Sequence, residues 1–238
     1  MIACSCEVCL SDNEKDKRFR SSIMVESKTT TIIVDTTPDF RSQMLRSKVM
    51  DTDAILITHH HKDHIAGLDD IKAFTYFQDK PMKVFGSKAT QDALRREFSY
   101  VFAEHKYPGV PDIDLMDIPE ETFYVGDIPV TAINVMHYRM PVLAFRFGDF
   151  TYITDANFID EKEKRKISGS KVMVVNTLRH KKHISHFTVQ EALDLADELQ
   201  VSDCYFTHIS HQLGLHDVVS ETLPEGRFLA YDTLKITL

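Results

Sequence analysis

Residues 54–68 read AILITHHHKDHIAGL, and no other stretch limits the fold of this chain as strongly. TDAILIT (52–58) is a short continuous apolar run, the pattern of a strand buried on both faces. Four imidazoles and a carboxylate follow within six residues: His59, His60, His61, Asp63 and His64. The pattern recurs along the chain. His137 ends TAINVMH, Asp155 closes on TYITDA and His208 ends CYFTH. Each apolar run delivers a potential metal ligand at its C-terminal end. Open sheets place their sites there, on loops held by a rigid scaffold.

The remaining segments fit such a scaffold. SSIMVESKTTTIIVDTTPDF gives two apolar runs about a polar turn near Lys28, a hairpin signature. Thr37-Pro38 predicts an N-cap and first helical residue for a helix over 38–48. Apolar spacing predicts helices over 65–77 and 88–102, with MKVFGS a strand between them. Residues 103–121 carry three prolines and read as a loop or insertion. Strands are expected in FYVGDIPVTAINVMH, VLAFRFG, FTYITDA, KVMVVNTL and DCYFTHISH, with a charged segment over 160–166. FTVQEALDLADEL is an amphipathic helix, with Thr188 and Glu191 at capping-box spacing. Strands that repeatedly precede helices, with hairpins mixed in, predict a layered α/β or α+β domain with mixed sheets. One domain over 1–238 is expected, opening with an irregular cysteine-rich segment over 1–20.

Composition narrows the partners. The chain has 238 residues, with 28 basic against 36 acidic side chains, a net charge of −8. Its overall field therefore disfavours nucleic acid and suits a small-molecule substrate. No run of about 18 apolar residues predicts a membrane span. MIACSCEVCL lacks the charged and apolar regions of a signal peptide, so a cytoplasmic location is expected. In a reducing compartment Cys4, Cys6 and Cys9 read as a metal cluster rather than as disulfides. Tetrahedral zinc needs a fourth ligand. The candidates are Cys204 and a histidine, and His211 lies three residues after His208. Cys204 sits in an apolar run and reads as packing.

The donor chemistry supports two metals. His59 and His61, two apart, can face one ion, and Asp63 and His64 can face a second beside it. The two oxygens of Asp155 can bridge them, and His137 and His208 would complete the pair. Imidazole with carboxylate suits Zn, Mn or Fe. A metal pair lowers the pKa of a shared water and clamps attacking and leaving oxygens, which is hydrolytic chemistry. His60, His105 and His216 read as filler, and Asp155 alone could be a helix cap.

THHHKDH fits the H-x-H-x-D-H signature, and the chain resembles the metallo-β-lactamase fold. With RFRSS, IIVDTTPDF, ILITHHHKDHIAGLDDI, TYITDA and THISH it is similar to the PhnP-like branch, the cyclic-phosphate phosphodiesterases of phosphonate catabolism. The resemblance implies an α/β fold, an αββα four-layer sandwich of two mixed β-sheets flanked by helices. It implies His59, His61 and His137 on one divalent metal, Asp63, His64 and His208 on the other, and Asp155 between them. It also implies a structural zinc on Cys4, Cys6, Cys9 and His211. Asp35 would support the metal loop, and His186, just before the helix in HFTVQEAL, would be the general acid. In true β-lactamases of the fold a cysteine often stands where Asp155 stands, so the aspartate points away from antibiotic hydrolysis. The strand and Gly-Thr-rich loop that usually precede the cysteines in this branch are not in the sequence.

The expected activity is hydrolysis of a small cyclic or linear phosphodiester by metal-activated hydroxide, with Asp63 and Asp155 in the catalytic centre. The alternatives are a thioester or lactone hydrolase of the same fold, a tRNA 3′-processing nuclease, a di-iron redox protein and a non-catalytic metal scaffold. A homodimer is left open. His180 and His183 read as solvated loop residues and Arg139 as a surface arginine, each within reach of a phosphate oxygen in the functional alternative.

Overall fold

The computed structural model describes residues 1–238 as a mixed α/β chain with two mixed sheets flanked by helices. Its contacts gather into two compact units, one of residues 20–132 and one of residues 1–19 with 133–238.

The unit of residues 20–132 carries a five-stranded sheet in the order β1 (Ile23–Glu26), β2 (Thr31–Val34), β3 (Ala54–Leu56), β4 (Met82–Phe85), β5 (Ile113–Met116). β1 and β2 form the expected antiparallel hairpin, and every later pairing is parallel. The central strand β3 is apolar and buried throughout because both its faces are covered, whereas β4 exposes Lys83. Ile33, Ile55 and Val84 pack with Phe40, Leu68, Phe74 and Leu94 from the helical segments. Parallel pairing brings the C-terminal ends of β2 and β3 to one edge, and the His-rich loop leaves from that edge.

That loop is stitched to the segment after β2 by backbone hydrogen bonds. Asp35 N–H donates to Leu56 O (2.9 Å), Thr36 N–H to His64 O (2.9 Å) and Gly67 N–H to Thr36 O (2.9 Å). The last of these explains why the helix expected over 65–77 is broken. A helix over Lys62–Ile65, a 3₁₀ turn over Leu68–Ile71 and a helix over Lys72–Gln78 replace it, because Gly67 turns its N–H away to Thr36. The helix expected from Pro38 starts at Phe40, with Thr37 Oγ1 accepting from Asp39 N–H (3.1 Å) in a turn ahead of it. The helix expected over 88–102 runs Lys88–Glu97, capped by Ser87. β5 lies inside the segment read as a loop. An edge strand needs partners on one side alone, so flanking prolines do not prevent it.

The strand β6 (Phe123–Val125) and the first residues of β7 (Ile128–His137) form a hairpin about Gly126, whose φ is +55°. From Ile133 onward β7 belongs to the other unit. There the sheet order is β10 (Phe158–Ile159), β7, β8 (Met140–Phe147), β9 (Phe150–Ile153), β11 (Val172–Asn176), β12 (Asp203–Thr207), β13 (Arg227–Leu229). β9, β11, β12 and β13 are parallel, so β9, β11 and β12 end on one edge. The helix over Val189–Glu198 carries the expected capping box of Thr188 and Glu191 and buries Ala192, Leu195 and Ala196. The charged segment is itself a helix, Glu161–Ile167, capped by Asp160. β10, β13 and a helix over His216–Ser220 had no sequence signal strong enough to be read. No helix is long and apolar enough to cross a membrane.

Gly67 is required by close approach. A Cβ there would lie 2.1 Å from Thr37 O and 2.7 Å from the Phe40 Cβ, contacts that move backbone rather than a flexible side-chain end. We expect Gly67→Ala to cost about 3 kcal/mol of unfolding free energy. Urea denaturation checks this, and an unchanged midpoint would show that the 36–40 turn yields freely.

Candidate metal centre

The unit of residues 20–132 supplies one donor cluster. Its centre is Asp35, fully buried directly after β2 with φ +67°. Its carboxylate accepts from Thr58 N–H (2.8 Å) and from the Thr58 hydroxyl (2.9 Å to Oδ2), and it faces His64 Nδ1 at 2.7 Å. The Thr58 hydroxyl is thereby committed as a donor to Asp35. It can only accept from His59 Nδ1, 3.0 Å away. Both His59 and His64 therefore carry their proton on Nδ1, which leaves Nε2 as the nitrogen that could bind a metal. Burial pushes the Asp35 carboxyl up, and His64 and Thr58 pull it part of the way back. The His59 ring lies 4.2 Å from the His64 ring and 4.7 Å from the His61 ring. Asp63 Oδ2 is 3.7 Å from His64 Nε2. The His60 ring lies 6.1 Å from the His61 ring, edge to face.

The other unit supplies a second cluster. His137 ends β7, Asp155 follows β9 and His208 follows β12. Asp155 and His208 have φ +52° and +53°, a conformation few non-glycine residues hold unless their surroundings enforce it. Asp155 Oδ2 lies 3.3 Å from His208 Nε2 and accepts from the Thr154 hydroxyl (2.8 Å). His137 Nδ1 donates to Ser185 O (2.9 Å), which again leaves Nε2 as the donor atom. His186 lies at ligand distance as well. Ligand atoms of His137, Asp155 and His186 all fall within 4.8 Å of one another. The His186 ring packs on His137 (4.7 Å), His208 (4.9 Å) and His183 (5.1 Å). Burial pushes the His186 imidazole down to about 3, against the pull of Asp155. Its Nδ1 is buried without a hydrogen bond, 3.8 Å from Asp155 Oδ1. His183, expected in solvent, is half-buried against His186 because Ser185 holds its ring. Arg139 is exposed and stacks on Tyr138.

A third cluster joins Cys4, Cys6, Cys9 and His211, whose ligand atoms lie within 4.8 Å of one another. His211 Nδ1 is 3.4 Å from Cys4 Sγ and 3.3 Å from Cys6 Sγ. This contact, with backbone help from Cys9, holds the Cys6 thiol down to about 6. Three sulfurs and an imidazole fit the four-donor demand of tetrahedral zinc. Cys204 is buried in the core, and burial pushes its thiol up to about 12, so it stays a packing residue. Imidazole and carboxylate in the first two clusters fit a divalent metal, and the buried Nδ1 bonds of His59 and His64 fit it in particular.

Two supporting residues had no motif to reveal them: Thr58 and Ser185. Each works through a hydrogen bond to a ligand-bearing segment. The one visible hint was a polar residue ending a wholly apolar strand.

Comparison with known proteins places this arrangement. Residues 30–209 match the family described as the beta-lactamase superfamily domain, and the chain belongs to that superfamily as a metal-dependent hydrolase. Within it, a crystal structure of a diphosphatase from the PhnP family superposes with a TM-score of 0.92 at 32% identity. That match covers 100% of this chain and 91% of the other, so the chain belongs to the PhnP-like branch. An octanoyltransferase of Porphyromonas gingivalis is 32% identical over 98% of this chain, but the match spans 48% of that protein. The exodeoxyribonuclease WalJ of Streptococcus pneumoniae is 29% identical over 50% of this chain and 41% of its own length. The chain thus spans about half the length, or less, of these two relatives.

Asp35→Asn tests the tautomer argument, since it keeps the shape but can turn an N–H toward His64 Nδ1. The imidazole would then shift its lone pair from Nε2 to Nδ1. We expect metal affinity to fall roughly 10–100-fold, read by competition with a chromophoric chelator. Wild-type affinity would remove Asp35 from the role.

Proposed function

We propose that this chain is a dinuclear metal-dependent phosphodiesterase that cleaves a small cyclic or linear phosphodiester. The observation that carries the reading is the donor set around Asp155. An aspartate stands beside His137 and His208 at strand ends and His186 in the loop before the helix at Val189, and a second histidine group has its tautomers fixed by Asp35. His59, His61 and His137 would hold one metal, Asp63, His64 and His208 the other, and Asp155 would serve both. Bound metals supply Lewis acidity to the phosphoryl group and to water.

The chain's own residues do the rest. Asp35 and Thr58 hold His59 and His64 in the ligating tautomer. His137 is held by Ser185 O. Burial opposes a charge on His186, while the neighbouring Asp155 carboxylate favours it. A phosphodiester beside it offsets that penalty, so the imidazole takes up a proton on substrate binding and gives it to the departing alkoxide. Cys4, Cys6, Cys9 and His211 would hold a structural zinc. A net charge of −8 supports a small substrate over nucleic acid, and a thiol cluster placed for zinc rather than for disulfides suits a cytoplasmic location.

Similarity at 32% identity to a diphosphatase supports phosphorus–oxygen chemistry. The octanoyltransferase name of a longer relative gives reason to test acyl substrates beside it. A panel of phosphodiesters, thioesters and lactones decides between them, and turnover confined to the acyl arm would overturn the proposal. Asp155→Ala should lower turnover of bis(p-nitrophenyl) phosphate by at least about 10³-fold, as expected for loss of a metal-site ligand. His186→Ala should slow turnover by about 10²-fold and retain the metals, in keeping with a lost general acid. Cys6→Ser should release one zinc per chain by elemental analysis and lower the melting temperature. Unchanged zinc would dismiss the four-donor site.

A further inference from the structure

We propose that Asn176 is a positioning residue that sets Asp155 and His186 with a single buried amide. This inference rests on the reading of those two residues as members of the hydrolytic centre. Asn176 is the last residue of β11 and is fully buried. Its Oδ1 accepts from Ala156 N–H at 2.8 Å, and its Nδ2 donates to Ala156 O at 2.9 Å. The donor and acceptor on Ala156 fix which end of the amide points where. The same Ala156 carbonyl accepts from Phe187 N–H at 2.8 Å. Asp155 immediately precedes Ala156, and His186 immediately precedes Phe187.

The clamp takes over where the sheet stops. The parallel ladder between β9 and β11 closes at Ile153↔Val175. Beyond it the chain turns out of the sheet through Asp155, whose φ is +52°. Ala156 is buried beyond the end of that ladder, and the backbone bond its carbonyl accepts comes from Phe187. A side-chain amide offers one donor and one acceptor at the spacing of a peptide group, so it stands in for the missing strand. Alanine would leave a buried N–H and reduce the buried C=O to its bond with Phe187. Aspartate would present an oxygen to the Ala156 oxygen. With the clamp in place, Asp155 keeps its left-handed turn and its carboxylate stays beside His208 and His186. The 156–187 bond then carries the His186 loop along with it.

The effect reaches a neighbouring ligand too. Residue 157 continues the same turn, and Asn157 Oδ1 accepts from Tyr138 N–H at 2.7 Å, one residue after His137. The turn of residues 155–157 thus ties together the chain at His137, Asp155 and His186, with the Asn176 amide at its base.

The test compares Asn176→Ala and Asn176→Asp with Ile167→Ala, a core truncation with no part in the site, and with Asp155→Asn. Zn²⁺ affinity is read by chelator competition, turnover on bis(p-nitrophenyl) phosphate at saturating metal, and melting temperature by calorimetry. We expect both Asn176 variants to bind active-site Zn²⁺ at least tenfold more weakly. Their kcat should fall at least tenfold with KM changed less than twofold. Ile167→Ala should lose a comparable melting temperature with affinity and kcat intact, which separates positioning from stability. If Asn176→Ala does not fold, the isosteric Asn176→Asp decides. Asn176 variants that lose melting temperature alone would overturn the proposal. Asp155→Asn with wild-type metal binding and turnover would instead overturn the site reading beneath it.

Discussion

A fully buried carboxylate is the feature on which the His-rich loop depends. Taking Asp35 out of water is costly unless its oxygens are satisfied, and here Thr58 and His64 satisfy them. Those bonds do more than compensate burial. They leave each of two imidazoles with one tautomer, and they fix the start of the loop against the segment after β2. The backbone bonds from Thr36 and Gly67 complete the same seam. A loop of four histidines would otherwise sample many arrangements, and the entropy of ordering them at a metal would weaken binding. The fold meets that cost before any ligand arrives.

The parallel sheets explain why ligands from distant parts of the chain can meet within each unit. Parallel neighbours end on the same edge, so successive strand-to-loop turns share one rim. Leaving the sheet abruptly at that rim requires unusual backbone. Asp35, Tyr138, Asp155 and His208 all have positive φ, and each either bears a site side chain or follows one. Aspartate and histidine tolerate this region comparatively well, whereas tyrosine does so less readily. Lys48 and Asp79, at helix C-caps, share the conformation away from the site, and at the site the neighbouring hydrogen bonds hold it.

Much of this was legible in sequence, for identifiable reasons. Apolar runs such as IIVD, AILIT and KVMVVN fill both faces of a sheet, so they declare themselves without context. The Thr188–Glu191 box is local and equally plain. What escaped depended on distant partners. The break at Gly67 exists because of Thr37 O, which no window around residue 67 contains. β5 escaped because an edge strand needs little hydrophobicity and sits among prolines. His183 was read as solvated because nothing in LRHKKHISHF marks that its ring packs on His186. The ligand types were visible as residues at strand ends, but the atoms that orient them were not. Ser185 contributes a carbonyl and Asn176 an amide, and backbone partners leave no motif.

The cysteine cluster, although remote in sequence, bears on His208. His211 belongs to the same short segment as His208, and β12 ends one residue earlier at Thr207. Ser210 lies between the two histidines and is fixed by two bonds to Leu178 O, from its N–H (3.1 Å) and its hydroxyl (2.8 Å). His211 then meets the sulfurs of Cys4 and Cys6. The segment that carries His208 in a left-handed conformation is therefore held on one side by the sheet and on the other by the cysteine group. A segment this short cannot rotate about one anchor while the other is fixed. The contacts of His211 with Cys4 and Cys6 thus tie the N-terminal residues to the short segment that carries His208.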